Sequence, residues 1–222
     1  MTLGIVIPML NEAAQLPSLL EHLLPFVRRG TEVVLVDGGS DDDSVALARA
    51  AGFTVLESAP GRARQMNLGA RASRGEALLF LHADTRLPAD ALAAVDTALR
   101  HHVWGRFDVS IAGRSPLLPM VAMLMNLRSR LSGIATGDQA IFMTRRAFDA
   151  VGGFPDQPLM EDLAICQSLK RLGRPACLKL RVTTSGRRWD TRGVWRTIAL
   201  MWWLRWRYWR GASPEALAKA YR

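Results

Sequence analysis

The sequence predicts an α/β fold built on a doubly wound, mostly parallel sheet flanked by helices, with amphipathic helices at the C-terminal end. Three observations carry this. Four short apolar runs alternate with helix-patterned stretches over the first hundred residues, and repeated βα units close into a parallel sheet with right-handed crossovers. The carboxyl ends of those runs gather polar residues, at 8–12, 37–40, 57–64 and 82–85, where such sheets bind ligands. The last thirty residues change character and become rich in Trp and Arg.

The elements follow in order. "LGIVIP" is a buried strand stopped by Pro8, and residues 12–24 place Leu16, Leu19, Leu20, Leu23 and Leu24 on one helical face. "EVVLVD" is a second strand. Ser40 then reads as the cap of a helix whose first turn holds Asp41, Asp42 and Asp43, where negative charge suits the dipole. "FTVLES" and "RARQMNLGARAS" form a third strand and helix. "EALLFLHAD" is a fourth strand, and Pro88 opens a helix to about Arg100. Beyond it, "RFDVSIAG" and "QAIFMTR" read as strands, and 116–131 as a Met/Leu-rich helix. Residues 159–172 form a helix ended by Gly173, with 193–210 and 214–221 as two final helices. The domain reading is 1–186 for the body, in halves of 1–100 and 101–186, and 187–222 for a basic helical tail.

The net charge of +9 is unevenly spread. Residues 1–169 hold 15 Lys/Arg against 18 Asp/Glu, and residues 170–222 hold 14 against 2. A basic end calls for an anionic partner: phosphates, a membrane surface or nucleic acid. The two cysteines, Cys166 and Cys177, lack metal-ligand spacing and read as buried thiols in a reducing compartment. A first strand beginning within three residues of Met1, with no apolar run near the ~20 residues needed to span a bilayer, predicts a cytoplasmic protein.

The strand ends carry the chemistry. The first loop reads "PMLNEA", not the G-x-G-x-x-G of dinucleotide sites and not a Walker loop, so a nucleotide would be held by side chains such as Asn11 and Glu12. Asp37 alone reads more readily as a turn or helix-capping residue than as a ligand. Arg62 and Arg64, entering a helix at the sheet's carboxyl edge, suit a diphosphate or a nucleobase. Asp84 ends an apolar strand beside those arginines. It is either the polar rim of the sheet or a ligand for Mg²⁺ or Mn²⁺ shared with phosphate oxygens. Glu161 and Asp162 open a helix without sharing a face. They complement its dipole or, beside an activated donor, supply a general base.

Taken in order, these motifs resemble the family 2 glycosyltransferases, which have the Rossmann-like GT-A fold. "IVIPMLNEA" resembles their first-strand signature, and "VVLVDGGSDDDS" their V-D-D-G-S-x-D-x-T element. "NLGARASRGEALLFLHAD" resembles the run ending in D-x-D. "GDQAIFMTRRAFDAVGGF" with "EDLAICQSLKRLG" resembles the acceptor-side block. "GRARQMNLGA", "HADT" and "SGRRW" resemble a bacterial subgroup labelled radical-SAM/selenodomain-associated transferase 2, or arsenosugar biosynthesis.

The resemblance implies inverting transfer from a nucleoside-diphosphate sugar, a UDP-sugar first among them, to an acceptor it does not identify. It implies a nucleoside pocket of Pro8, Asn11, Glu12 and Asp37, with Arg62 and Arg64 at the base or diphosphate. Asp84 becomes the metal ligand for Mg²⁺ or Mn²⁺. Asp162 becomes the general base with Glu161 supporting it, and Gly137 and Asp138 lie near the donor sugar or acceptor. Three departures stand out. His82 replaces the first Asp of D-x-D and becomes a ribose contact. Gly38 replaces the second Asp of D-D-G-S. No histidine follows His102, so Arg187 and Arg188 would neutralise the departing diphosphate.

In the tail, Trp195, Trp202, Trp206 and Trp209 share one helical face, with Arg196, Arg207 and Arg210 on another. That pattern suits a helix lying on a membrane surface, which would place the protein on the inner face of the membrane. A face packed on the body or in a homodimer contact fits it too. Nucleic acid fits poorly, because strand binding needs Trp and Arg along one groove. The alternative to an enzyme is a non-catalytic nucleotide-sugar or membrane-surface binding protein of the same fold. A sugar nucleotidyltransferase would need a Gly-rich first loop.

Overall fold

The computed structural model describes residues 1–221, and an eight-stranded sheet organises them. The first half alternates β1 (Leu3–Met9), α1 (Leu16–Arg28), β2 (Glu32–Asp37), α2 (Ser44–Ala50), β3 (Thr54–Glu57), α3 (Arg62–Ala72) and β4 (Ala77–Phe80). β5 (Thr85–Arg86), α4 (Ala91–Leu99), β6 (Trp104–Ala112), α5 (Leu118–Ser132) and β7 (Phe142–Thr144) follow. Then come α6 (Arg145–Val151), α7 (Glu161–Leu172), β8 (Ala176–Ser185), α8 (Arg187–Arg192), α9 (Val194–Trp209) and α10 (Pro214–Tyr221). The strand order is β3-β2-β1-β4-β7-β6-β8-β5. β1 to β4 are parallel, as four βα units require. β7 then runs antiparallel between β4 and β6, while β6 and β8 are parallel.

Two apolar layers hold the sheet. Ile5, Ile7, Leu35 and Leu79 face α1, α4 and α5, whose Leu16, Leu19, Val95 and Val121 are buried against them. On the other face Val6, Val36 and Phe80 meet α3, α6 and α7, where Phe80 packs edge-on against Phe154 at 4.7 Å. α3 can approach because residue 69 is glycine: a Cβ there would lie 2.4 Å from Val6.

Four expectations need correction. β1 runs past Pro8 to Met9, because Pro8 remains extended and pairs in register with Val36. Ser40 caps no helix. Its hydroxyl accepts from the Asn11 N–H at 2.9 Å, and α2 begins only at Ser44. The fourth strand stops at Phe80, and His82 to Asp84 form a turn leading to β5. β8, α6 and α8 have no counterpart in the sequence reading. In β8, Lys179 and Arg181 alternate outward and hide the strand signal.

Cys166 is buried with its thiol pushed up to about 12 by burial, and Cys177 is half-buried; neither is in a disulfide. Among the described residues, no helix is long and apolar enough to cross a membrane. On α9, Val194, Thr197 and Leu204 face the body, whereas Trp195, Trp202, Trp203, Trp206 and Trp209 are exposed. The predicted Trp face is therefore not packed on the body.

Candidate active site

The site forms where the carboxyl ends of β1, β2 and β4 meet the start of α7. After β2, Asp37 is buried and spends its carboxylate on the turn, accepting from the Gly39 N–H at 2.8 Å and the Ser40 N–H at 2.9 Å. Asn11 is exposed, and its side-chain oxygen accepts from the Asp41 N–H at 3.0 Å. The two loops are thus tied together. Gln65 adds a second tie, donating to the carbonyls of Met9 and Val36 at 2.8 Å each. That tie explains Gly38, since a Cβ there would lie 3.0 Å from the Gln65 amide.

His82, in the turn after β4, meets Asp138 on the 3₁₀ turn Gly137–Gln139, with Nδ1 3.3 Å from Oδ1. Burial opposes charge on His82, but the Asp138 hydrogen bond and charge outweigh it and raise its pKa. Burial likewise opposes charge on Asp138, and the His82 contact wins and lowers its pKa. Each partner thus favours the charged form of the other across the cleft. Gly137 permits it, because a Cβ there would lie 2.3 Å from His82 Nε2.

Asp162 is an acid whose pKa the site raises strongly. Burial pushes its carboxyl up to about 6, and the charge of Glu161 adds to the rise. N–H groups of Gly137, at 2.9 Å, and Leu163, at 2.8 Å, together with the Arg62 charge, pull the other way. Glu161 is buried and turns to Arg62, whose Nη1 lies 3.5 Å from its Oε1. Met66, Phe80, Ile141 and Phe154 complete a small enclosed pocket with His82, Gly137, Glu161 and Asp162.

Asp84 lies at the far side, half-buried, with Oδ1 3.3 Å from the Thr85 hydroxyl and 3.5 Å from that of Thr184 on β8. Burial pushes the Glu12 carboxyl up, Arg187 pulls it down, and Asp84 and Asp42 add to the rise. Arg187 and Arg188 open α8. Arg188 lies over the Tyr221 ring at 4.1 Å, and burial pushes its pKa down while Asp138 and Asp84 hold it up. Most of the expected residues therefore converge on one cleft. Pro8 stays within its strand, and Arg64 turns outward to Asp156, its Nε 2.9 Å from both carboxylate oxygens.

Two features escaped the sequence reading. Arg128 on α5 faces the cleft. Burial pushes its pKa down, and Asp162 and Asp138 pull it back up. The only hint was a charge on a Met/Leu-rich helix. The second feature is backbone strain. Asn11, Ala140 and Met160 are the non-glycine residues with positive φ among those described, at 53°, 45° and 66°. Each stands within two residues of a site residue, and such strain collects at functional sites. Nothing in the spelling of Ala140 or Met160 signals it.

A family model, glycosyl transferase family 2, matches residues 4–150. The chain belongs to glycosyl transferase family 2. Among curated members, an "Uncharacterized glycosyltransferase" of Haemophilus influenzae is 37% identical over 86 residues, covering 37% of this chain and 29% of that protein. A PGL/p-HBAD biosynthesis glycosyltransferase of Mycobacterium bovis is 37% identical over 107 residues, covering 45% of this chain and 42% of the relative. The matches thus span less than half of these relatives. Among solved structures, a mannosyltransferase from Pyrobaculum calidifontis in complex with GDP-Man and Mn²⁺ matches with TM-score 0.69 and 22% identity, over 91% of this chain and 60% of that one. Glucosyl-3-phosphoglycerate synthase from Mycobacterium tuberculosis, in complex with Mg²⁺ and UDP, matches with TM-score 0.61 and 20% identity, over 82% and 70%. These likenesses show the GT-A fold.

Those two neighbours were solved with divalent cations. In this family 2 chain the candidate donor is the Asp84 carboxylate, whose charge Glu12 feels. A hard carboxylate oxygen fits Mg²⁺ or Mn²⁺ when substrate phosphates complete the shell. Among the described residues no group of three His, Cys, Asp or Glu makes a cage of protein ligands alone.

Proposed function

We propose that the protein is an inverting glycosyltransferase that moves a sugar from a nucleoside-diphosphate sugar to an acceptor hydroxyl. The observation that carries this reading is Asp162: a carboxylate raised to about 6, held by two backbone N–H groups, in a pocket at the carboxyl edge of the sheet. A base near that pKa is ionised at neutral pH and still accepts a proton readily. Asp162 takes the acceptor's proton as its oxygen bonds to the anomeric carbon. The bond from that carbon to the diphosphate breaks on the opposite face, which inverts the centre. Glu161, fixed by Arg62, holds the base in position and raises its pKa.

Asn11, Glu12 and Asp37 shape the nucleoside end. His82, its Nδ1 aimed at Asp138, is the contact for the ribose or donor sugar. Arg62, Arg187 and Arg188 face the diphosphate, and fixed positive charge stabilises the negative charge that develops on it. Held by Asp84 and the donor's phosphates, Mg²⁺ or Mn²⁺ would supply further charge neutralisation. UDP is the nucleotide we place first, on the likeness to a synthase solved with UDP. A second neighbour solved with GDP-Man makes GDP the next candidate.

The test is a thermal-shift screen of nucleoside diphosphates and their sugars with Mn²⁺, followed by assay of nucleoside-diphosphate release. Stabilisation by one nucleotide together with its release from the matching sugar supports the reading. Binding with no release in any acceptor mixture leaves a non-catalytic binding protein of the same fold.

A further inference from the structure

Two helices bordering the base carry apolar faces that the fold leaves uncovered. On α5, Met120, Met123, Leu124, Leu127 and Leu131 recur at helical spacing and are exposed, Leu131 by 80%. On α9, Trp202 is 73% exposed and Trp209 79%, with Trp195 and Trp206 beside them on the same face. Single exposed apolar residues are ordinary, whereas two such rows mark an interaction surface.

The two helices are anchored to shared parts of the fold. α5 and α9 start from the same corner, where the Arg114 N–H donates to Asp190 at 3.0 Å and Val194 joins the apolar layer of Leu118 and Val121. Both helices then run to α7. α5 ends where Lys170 Nζ donates to the Ser132 carbonyl at 2.6 Å, and α9 packs Leu204 with Leu159 and Met160, just before Asp162. The base thus lies between the two helices' contacts on α7.

The charge selects the occupant. Residues 193–210 hold four arginines and no carboxylate. Arg207 lies over the Trp203 ring at 5.5 Å and Arg210 over Trp206 at 5.7 Å. Indoles interleaved with guanidiniums suit the boundary of an anionic bilayer, where the rings sit among the acyl chains' upper segments and the cations reach the headgroups. A protein partner would need a concave face lined with acids. We infer that α5 and α9 together form a docking surface for an anionic membrane, and that the acceptor hydroxyl reaches Asp162 from a lipid or lipid-linked molecule. The docking part stands on exposure and charge alone, and the acceptor part rests on the reading of Asp162 as the base.

The test is co-sedimentation of the full chain with phosphatidylcholine vesicles, with and without phosphatidylglycerol, alongside tryptophan emission. The chain is expected to pellet with the anionic vesicles, with blue-shifted emission, and to dissociate as salt rises. Leu127→Gln with Leu131→Gln is expected to weaken vesicle binding about tenfold at an unchanged melting temperature. Trp202→Gln with Trp209→Gln is expected to do the same. Failure to pellet with anionic vesicles overturns the proposal. So does vesicle binding untouched by the α5 pair, or tryptophan emission already blue-shifted without vesicles by concentration-dependent self-association. Nucleotide thermal shifts on the same samples keep the two readings apart: nucleotide binding without vesicle binding overturns only the docking surface.

Discussion

The Gly137 N–H donates to Asp162 Oδ2 at 2.9 Å, joining the 3₁₀ turn to the first turn of α7 across 25 residues. The same glycine lies so close to His82 that a Cβ would meet Nε2 at 2.3 Å. One small residue thus sets the position of both the base and the imidazole. Gly137→Ala must displace one of them. It is expected to cost about 1–3 kcal/mol of stability by overpacking and to lower nucleoside-diphosphate release at least tenfold. Denaturant unfolding and a release assay check the two effects separately.

The acid limb of the pH–rate profile should fall near pH 6, because Asp162 must be ionised to act. Its shift has identifiable causes, so the limb should move in known directions. Glu161→Gln removes a charge that raises the pKa and should move the limb to lower pH. Arg62→Gln removes a charge that lowers it and should move the limb up. Initial rates against pH for the three proteins measure this.

The same shift links Asp162 to stability. Its folded pKa is raised, so its contribution is fully present below the unfolded value of 3.8 and is lost as pH rises through about 6. Asp162→Asn, which keeps no charge, should therefore stabilise the fold at neutral pH by up to about 3 kcal/mol, less any weakening of its two N–H hydrogen bonds, and raise the melting temperature. The advantage should vanish below about pH 4. Melting curves across that range test it.

Among the described residues, Asp84 accepts two long hydrogen bonds, at 3.3 and 3.5 Å from threonine hydroxyls, so little of the fold's hydrogen bonding depends on it. Asp84→Ala should fold normally and lose the Mn²⁺-dependent part of nucleotide affinity, about tenfold or more. Calorimetric titration of UDP with and without Mn²⁺ reads that difference.

Gly38→Asp would restore the D-D-G-S spelling that the chain resembles. Here it should destabilise, because the new Cβ would stand 3.0 Å from the Gln65 amide that ties β1 to β2. A loss of about 1–3 kcal/mol is expected in denaturant unfolding. Gln65→Ala in the same background should recover part of it by making room.

β1, β2 and β4 were legible because they are buried on both faces and read as continuous apolar runs, as in "EVVLVD". β8 was not, because Thr183, Arg181 and Lys179 face outward and dilute its pattern. Asp84, Glu161 and Asp162 could be singled out by their place at strand and helix ends. Their partners could not. Arg62 reaches Glu161 across 99 positions and Thr184 reaches Asp84 across 100, distances that only the sheet order closes. Ser40 shows the opposite failure. A Ser before three acids spells a helix cap, yet the adjacent loop takes its hydroxyl for the Asn11 N–H.

Nucleoside-diphosphate release by Asp162→Asn, measured beside its nucleotide affinity in the presence of Mn²⁺, tests the central assignment most directly. If Asp162 is the base, release falls at least a hundredfold while nucleotide affinity stays within about threefold of the parent. Release at the parent rate with intact nucleotide binding would contradict it.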